Sequence, residues 1–512
     1  MMRKTLLSLA PAVMTVLLAG CASVKIGSGS LFTTGSAGTV PVSITMTDDP
    51  PAGVRVLFFQ VNLTAATLAP APTTTGTTAS PVSLLSNNTP IQIDVTQLQA
   101  LSAFLSTADV TAGTYNSLSL TFANPELVIF NQSDSSLGST CAVGSVCQLT
   151  PAIDNSATVA FSSSPFPVTV APGSPLGFLI DFHLNTVIQS DLSVNLGVAN
   201  GITVAQLPPA PTPPQFGSVT GEVESVSASN NQFTMLTAWG RTFTVDTTSS
   251  TTFSDFPASA CTTAGIGCVA SGQVVKVQVA SFAKGGVLTA SQVAYVQAAG
   301  TQTVEGTVID ILPLPVPSGE LIVQMILHNN PASTSGVPLG GLATVTLASS
   351  ATYSIDNNGF TIPSGLSFTG PEGVTVGQNL QVVVEPGTLS SSGSGWTIFG
   401  PPQTVTFTTT SVELEPSQMT GTISATDSST TSFALGAGGP FFAPWPMPNA
   451  VSSYDVATTS QTTFTGFSPD NFGGLADVQF VSVSGWLFLG TTSDTPNVAA
   501  QSVVLRPTPS WF

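Results

Sequence analysis

Charged side chains are scarce in this sequence, and their scarcity excludes one class of partner. Only 7% of the 512 residues are charged, with 8 Lys and Arg against 26 Asp and Glu, which gives a net charge of −18. Loss of Arg3 and Lys4 with an N-terminal signal would make it −18 − 2 = −20. Because so acidic a chain repels phosphate backbones, we predict no nucleic-acid partner.

Low charge does not indicate disorder here, because 42% of the residues are hydrophobic. The solvated surface must therefore be built mainly of hydroxyl and amide side chains. Few of its groups titrate, so we expect the stability of the folded chain to stay nearly flat between about pH 3 and pH 7.

Histidine is almost absent, and the common catalytic signatures are missing with it. The only histidines are His183 and His328, in different predicted domains, and no Gly-x-Ser-x-Gly elbow, phosphate-binding loop, dinucleotide fingerprint or His-Glu-x-x-His motif occurs. We therefore predict no enzyme, no catalytic residue, no cofactor and no metal site. Asp181 and His183 share a predicted strand face, and we interpret them as a surface pair. A glycosidase needs only two carboxylates, so that alternative stays open.

Cysteine is also rare, with five residues. Cys21 follows an apolar N-terminal segment, which leaves Cys141 with Cys147 and Cys261 with Cys268 as two close pairs. In an oxidising compartment the even number of remaining cysteines predicts disulfides, since each can pair and none is left over. A metal site would instead need CxxC motifs or nearby histidines. We predict two local loops, each closed by one disulfide.

The N-terminus has the pattern of an export signal. Arg3 and Lys4 precede an apolar run that is too short to remain as a transmembrane helix, and small residues follow it. We assign residues 1–20 to this signal. Leu18-Ala19-Gly20-Cys21 resembles the lipobox of bacterial lipoproteins, and the resemblance implies cleavage before Cys21 and its acylation.

The acylated Cys21 would anchor the chain in the bacterial cell envelope, at the outer membrane, facing the periplasm or the cell surface. Residues 21–38 are small and polar, with Gly-Ser-Gly-Ser at 27–30, and are predicted to form a flexible tether between the membrane and the first domain.

The rest of the chain alternates hydroxyl or amide residues with aliphatic and aromatic ones, which predicts an all-β fold. Residues 39–206 are expected to form a β-sandwich-like domain, in which Phe178, Ile180, Phe182 and Leu184 point to one side of a strand. One helix is expected after Thr96, because Leu98, Leu101 and Leu105 would share a helical face. The segment Thr47–Pro51 is predicted to be a turn.

Four short motifs carry a family resemblance: Thr47-Asp48-Asp49-Pro50, Ile93-Asp94-Val95, Ala112-Gly113-Thr114-Tyr115 and Asp181-Phe182. With them, residues 39–206 resemble the N-terminal β-domain of uncharacterised lipoproteins of environmental bacteria. The resemblance implies no activity. It departs at His183, where the family usually has a second acid.

A proline-rich linker is predicted over 207–215, and three repeats follow it. Each opens with a strand that has a central glycine, at Gly221, Gly306 or Gly421, spaced by 306 − 221 = 85 and 421 − 306 = 115 residues. We assign β-barrel repeats to 216–299, 300–415 and 416–508. They look like a second uncharacterised family of small exported β-domains, and we expect OB-like barrels arranged as beads on a string.

Two features are candidate binding sites. The insertion 439–447 carries Phe441, Phe442 and Trp445, whose rings would stack on sugars or grip a protein, unless the loop covers its own barrel. Asp48, Asp49 and Asp94 have the oxygen ligands that calcium prefers, but for the first two we favour an Asx turn before Pro50.

From these features we predict a non-enzymatic, lipid-anchored cell-envelope protein. Its role would be binding or adhesion toward a glycan or envelope protein. The alternatives are a purely structural spacer and a carbohydrate-active hydrolase that uses paired carboxylates.

Overall fold

The computed structural model describes residues 39–49, 55–72, 80–85, 90–98, 103–131, 136, 141–154, 156–172, 176–189, 191–207, 218–237, 241–257, 261, 263–283, 287–312, 320–329, 337–357, 359–393, 401–436, 453–490 and 497–506. Within these ranges no helix is long and apolar enough to cross a bilayer. The predicted signal, Cys21, the tether and most of the predicted linker lie outside them.

The all-β prediction is confirmed: strands build every domain, and the described residues include one α-helix of a single turn. The first domain contains β1 (Thr39–Asp49), β2 (Arg55–Pro70), β3 (Val82–Ser83), β4 (Ile91–Asp94), β5 (Ala103–Thr111), β6 (Gly113–Phe130), β7 (Val146–Leu149), β8 (Thr158–Phe161), β9 (Val168–Val170), β10 (Leu176–His183), α1 (Leu184–Val187) and β11 (Ile202–Leu207).

These strands form two layers around one core. One layer has the order β11-β10-β1-β5, and the other has β3-β2-β6-β7 with β4 on β2 and β8 and β9 on β6. The alternation predicted for β10 is observed, since Phe178, Ile180 and Phe182 are fully buried whereas Asp181 and His183 are half-buried on the other face. The core between the layers also receives the inward residues of β2 and β6.

The predicted helix is wrong. Residues Val95–Leu98 form one 3₁₀ turn, and Leu105 lies in β5, which pairs with β1 from Thr39↔Thr111 to Met46↔Ala103. Thr96 does not cap a helix: its backbone N–H donates to Asp94 Oδ1 at 3.0 Å. Pairing with β1 outweighed the local helical spacing, because strand formation depends on packing against cross-strand neighbours more than on local preference.

The predicted turn at Thr47–Pro51 is not observed over its described residues, since residues 47–49 lie in β1. Asp48 and Asp49 are the last residues of β1 and pair with Phe182 and His183 of β10. The Asx-turn interpretation therefore does not describe their backbone.

The remaining strands fall into three sets of similar order. The first barrel has β12 (Ser218–Ser227), β13 (Gln232–Thr237), β14 (Thr242–Asp246), β15 (Thr252–Ser254), β16 (Val274–Ala283) and β17 (Val287–Gln297). The second barrel has β18 (Thr303–Leu312), β19 (Leu321–Asn329), β20 (Leu342–Ile355), β21 (Asn379–Val383), β22 (Ser390–Ser392) and β23 (Thr404–Glu415). The third barrel has β24 (Ser417–Asp427), β25 (Ser432–Gly436), β26 (Ser453–Ala457), β27 (Thr463–Thr465), β28 (Phe480–Phe488) and β29 (Asn497–Leu505).

Each set closes on itself. In the first barrel the pairing runs β12-β13-β14-β17-β16 and returns to β12, with β14 parallel to β17. The same ring recurs as β18-β19-β20-β23-β21 and as β24-β25-β26-β29-β28. A closed five-stranded ring of mainly antiparallel strands is the architecture of an OB-like barrel.

The central glycines lie where the first strand of each barrel crosses its neighbour most closely. A Cβ at Gly221 would stand 2.6 Å from the carbonyl oxygen of Leu236, and one at Gly306 would stand 2.5 Å from that of Ile326. At Gly421 it would collide with the Gly436 oxygen. A register shift follows two residues after each glycine, between Val223/Ser225, Val308/Asp310 and Ile423/Ala425, so these strands coil at the site that barrel closure requires.

The four domains pack into one compact unit over Thr39–Phe512, in contrast to the expected string of beads. Phe58 and Val128 of the first domain pack with Ile309 and Ile326 of the second barrel. The fully buried Trp486 of the third barrel lies in the core cluster of the second. Its indole Nε1 donates to the Asp356 carbonyl oxygen at 2.9 Å.

Candidate functional site

The predicted disulfide cysteines meet in the structure. Cys141 and Cys147 are bonded with a Cα separation of 5.6 Å, and Cys261 and Cys268 with one of 4.7 Å. One pair closes a loop of the first domain and the other a loop of the first barrel. Cys21, the predicted acylation site, lies outside the described residues.

The predicted aromatic binding residues Phe441, Phe442 and Trp445 also lie outside the described residues. Their position in the chain is nevertheless defined, because the segment 437–452 connects β25 to β26. The corresponding connection in the first barrel spans only residues 238–241, between β13 and β14. The third barrel therefore carries a long insertion between its second and third strands.

Asp94, one of the three predicted cation ligands, is occupied by other partners. Its Oδ2 lies 2.9 Å from Nδ1 of His328, and its Oδ1 accepts hydrogen bonds from the backbone and hydroxyl of Thr96. Among the described residues no group of three His, Cys, Asp or Glu side chains is arranged to hold a metal ion. The structure describes only the backbone of Asp48 and Asp49.

Asp181 and His183 were predicted to form a surface pair, and the structure gives Asp181 a different main partner. His183 Nε2 lies 3.9 Å from Asp181 Oδ2, beyond hydrogen-bond distance. The buried guanidinium of Arg506, just after β29, donates through Nη1 to both Asp181 oxygens at 3.2 and 3.4 Å. Arg506 Nε donates to the Ser482 hydroxyl at 3.2 Å. Asp181 thus joins the first domain to the third barrel.

A polar cluster lies on the outer face of the second barrel, where three neighbouring strands align their side chains in two rows. Glu305, Gln381 and Glu413 form one row. The second row, two residues along, is Thr307, Asn379 and Glu415. We call these six residues the polar tract. Their neighbours in sequence, such as Val304, Leu380 and Leu414, point into the barrel core, so the alternation of each strand places the tract outside.

Hydrogen bonds cross the first row of the tract. Gln381 Nε2 donates to Glu413 Oε2 at 3.0 Å, and the Ser354 hydroxyl donates to Glu413 Oε1 at 3.2 Å. Gln381 is only 6% exposed, and its Oε1 has no hydrogen-bond partner. This row therefore offers more acceptors than donors.

Lys276 of the first barrel supplies positive charge to the tract. Desolvation lowers the pKa of the Lys276 ammonium. This effect is outweighed by the combined attraction of four acids, so the pKa is raised; the acids are Glu415, Asp356, Glu305 and Glu413. Burial, with repulsion from Asp356, raises the pKa of the Glu415 carboxyl well above its ordinary value, although Lys276 acts against the shift. Burial and the same aspartate also raise the pKa of Glu413. Acids outnumber the one lysine, so protonation of the glutamates relieves repulsion.

The second row continues into the first domain through a histidine. His328 Nε2 lies 2.9 Å from the Thr307 hydroxyl, and the Thr307 hydroxyl donates to Asn379 Oδ1 at 2.5 Å. On its other side His328 Nδ1 meets Asp94, so residues of two domains form one chain of hydrogen bonds.

Asp94, His328 and Thr307 have the order of a hydrolase triad, but the hydroxyl is not free to act as its nucleophile. Its proton points to Asn379, whereas in a triad it would be transferred to the histidine. His328 is 6% exposed and packs beside Phe58 at the domain junction, with ring centroids 6.0 Å apart. The arrangement is chemically suited to holding two domains together.

Two residues of the family-like motifs, Asp94 and Asp181, thus contact different barrels. Sequence reasoning missed His328 and Arg506 as their partners, because 234 and 325 positions separate the residues of each pair. The signal present in the sequence was the rarity of histidine, of which the chain has 2.

Comparison with known proteins supports the resemblance of the first domain. The model of a family described as a domain of unknown function (DUF4382) matches residues 38–198. This region is therefore similar to an uncharacterised β-domain. No curated protein matches the chain.

Among solved structures, similarity was found to a deletion mutant of the single-stranded DNA binding protein from Thermus aquaticus. The two are 12% identical, with a TM-score of 0.14, over 41% of this chain and 95% of the other. Likeness at that score carries no inference about fold or ligand.

Proposed function

We propose that the chain is an exported, lipid-anchored protein of the bacterial cell envelope that works by binding or adhesion and not by catalysis. One observation carries the proposal: the sandwich and the three barrels are joined by specific buried contacts into one unit. Such a body presents its loops at fixed relative positions, as a binding platform does.

The junctions that support this proposal combine apolar and polar contacts. Gln378 is fully buried and donates to the Leu487 carbonyl oxygen of the third barrel at 2.8 Å. Gln461 accepts from Thr361 N at 2.7 Å and donates to the Gly359 oxygen at 3.0 Å. Domains that moved independently would exchange these hydrogen bonds for bonds to water, and each bond retained in the docked unit contributes about 0.5–1.5 kcal/mol.

Export is supported by the two disulfides, which lie in different domains and suit an oxidising compartment.

Anchoring through Cys21 is tested by feeding cells a clickable palmitate analogue. We expect label on the parent and on a Ser23→Ala control but none on Cys21→Ala, which should also leave the membrane fraction. Label that persists on Cys21→Ala would overturn the anchor.

Binding is assigned to the insertion between β25 and β26, with a glycan or an envelope protein as the ligand. Glycan arrays and envelope pull-downs with the whole mature chain should give a signal that Trp445→Ala abolishes. Trp239→Ala is the matched control, because Trp239 lies in the equivalent connection of the first barrel and should keep the signal. Silence of the parent in both assays, or equal loss in both variants, would contradict this assignment and favour a structural spacer.

A second candidate function is hydrolysis of a polysaccharide, and the polar tract favours it. Glu415 and Glu413 lie on one face of β23, and burial favours their protonated forms, as the general acid of a glycosidase requires. Turnover on a polysaccharide panel that is lost in Glu415→Gln, but kept in a variant of the exposed Glu222, Glu222→Gln, would establish an enzyme. No turnover by the parent would leave binding as the function.

A further inference from the structure

The hydrogen-bond chain that crosses from the second barrel to the first domain has a fixed direction. At its barrel end, Asn379 Nδ2 donates to the Pro416 carbonyl oxygen at 3.1 Å, which orients the amide so that Oδ1 faces Thr307. The Thr307 hydroxyl has a single proton, and it donates that proton to Asn379 Oδ1. Thr307 must therefore act as the acceptor toward His328.

This direction determines the protons of His328. Nε2 lies 2.9 Å from a hydroxyl whose own proton is used elsewhere, so Nε2 must carry a hydrogen. Nδ1 lies 2.9 Å from Asp94 Oδ2, an oxygen that accepts, so Nδ1 must carry one as well. Both nitrogens donate only in the charged imidazolium. With neutral His328, one contact in the chain would lack a hydrogen.

The environment of His328 supports a positive charge there. Asp94 faces it from β4, with Oδ2 against Nδ1 of His328 and Oδ1 accepting from the backbone and hydroxyl of Thr96. Glu126 lies on the same sheet of the first domain, beyond Gln60, and Glu305 lies beside Thr307 on β18. Further along the tract, Glu415 is partly balanced by Lys276.

We propose that His328 is a proton-dependent latch: docking of the first domain onto the second barrel takes up one proton, which completes the chain from Asp94 to Pro416. Acidification then tightens this junction, and deprotonation of His328 loosens it. The proposal concerns the domain junction, so it is independent of whether the chain binds a ligand.

Long-range ¹H–¹⁵N spectra of the full mature chain, labelled at histidine, test the proposal directly. The chain has 2 histidines, so each signal can be assigned with His183→Gln. We expect both His328 nitrogens to be protonated at about pH 6.5, with the pattern of an imidazolium. A neutral pattern with one unprotonated nitrogen at that pH would overturn the latch.

Hydrogen exchange provides a second readout. After correction for intrinsic exchange, we expect protection of the β4 and β19 amides in the parent and in His183→Gln to fall about tenfold between about pH 6 and pH 8.5. His328→Gln should show low protection with a smaller pH dependence, and the remainder comes from buried carboxyls such as Glu126, whose pKa is raised to about 7. Protection that does not change with pH in the parent, or that falls by the same factor in His328→Gln as in the parent, would contradict the proposal.

Discussion

Val478 has a left-handed backbone conformation, which a β-branched side chain disfavours. Its φ is +63°, and the equivalent positions in the other barrels are Gly272 at +85° and Gly377 at +93°. All three are the third residue of the same turn: the next residue is a glutamine, whose backbone N–H donates to the carbonyl oxygen of the first residue. The side-chain oxygen of each glutamine accepts the backbone N–H of that first residue at 2.8 Å. A β-branched residue is strained here, and Val478 is 79% exposed, so packing does not compensate.

Val478→Gly should therefore stabilise the chain by about 1 kcal/mol, since relief of left-handed strain exceeds the added freedom of the unfolded glycine. The urea midpoint measures this. Gly377→Val, the reverse change in the second barrel, should destabilise by a similar amount. A lower midpoint for Val478→Gly would show that its side chain has a role in the turn.

Tyr115, in the Ala-Gly-Thr-Tyr motif, closes the hairpin between β5 and β6. It is buried, and its hydroxyl donates to the Thr111 carbonyl oxygen at 2.8 Å. Tyr115→Phe leaves that oxygen unpaired and should cost about 1 kcal/mol in the free energy of unfolding, as measured by denaturant titration. Unchanged stability would mean that solvent replaces the bond.

At the scale of the element, the glycine of each first strand permits a close approach to the second strand. Gly421→Ala should destabilise the chain by about 2–3 kcal/mol, because the new methyl group would overlap the Gly436 oxygen. Gly436→Ala is the matched control across the same strand pair. Its methyl group would meet the Thr422 oxygen at 3.3 Å, so the cost should be smaller. Equal thermal shifts in the two variants would refute the steric explanation.

Alternation and glycine spacing were enough to predict the strands and the glycines at which they coil, because both are local properties of the chain. The residues 98–105 were misassigned, because a helical spacing of three leucines coincided with a segment that β1 recruits by pairing. The polar tract was not predictable: Thr307 and Asn379 are 72 positions apart, and only the ring closure brings them together.

At the scale of the whole molecule, buried carboxyls change the expected pH dependence. Burial raises the pKa of Glu126 from 4.5 to about 7, although a hydrogen bond from Gln60 opposes the shift. The pKa values of Glu413 and Glu415 are raised as well. Each raised pKa means that the folded chain binds its proton more tightly than the unfolded chain. The stabilisation that this proton binding gives is complete at pH values below the pKa of the unfolded chain. It is lost as the pH rises through the pKa of the folded chain.

Stability should therefore rise from about pH 7 down to about pH 4.5, in contrast to the flat profile that composition predicted. Glu126→Gln should reduce this rise by about 1 kcal/mol, a value discounted for the partial exposure of the carboxyl. Glu222→Gln, at an exposed site, should leave it unchanged. Urea titrations at several pH values measure both slopes, and a parent profile that falls on acidification would contradict the assignment.

The ion pair between Asp181 and Arg506 affects how the molecule would transmit a pulling force. Asp181 lies on β10, which pairs in parallel with β1 over eight residue pairs, from Val42↔Leu176 to Asp49↔His183. Tension applied at the start of β1 would pass by shear into β10, and the guanidinium would then transmit part of it to the third barrel. The covalent chain through the first and second barrels would bear only the remainder. The first domain and the third barrel would thus bear part of a load directly, in parallel with the covalent connection through the first and second barrels.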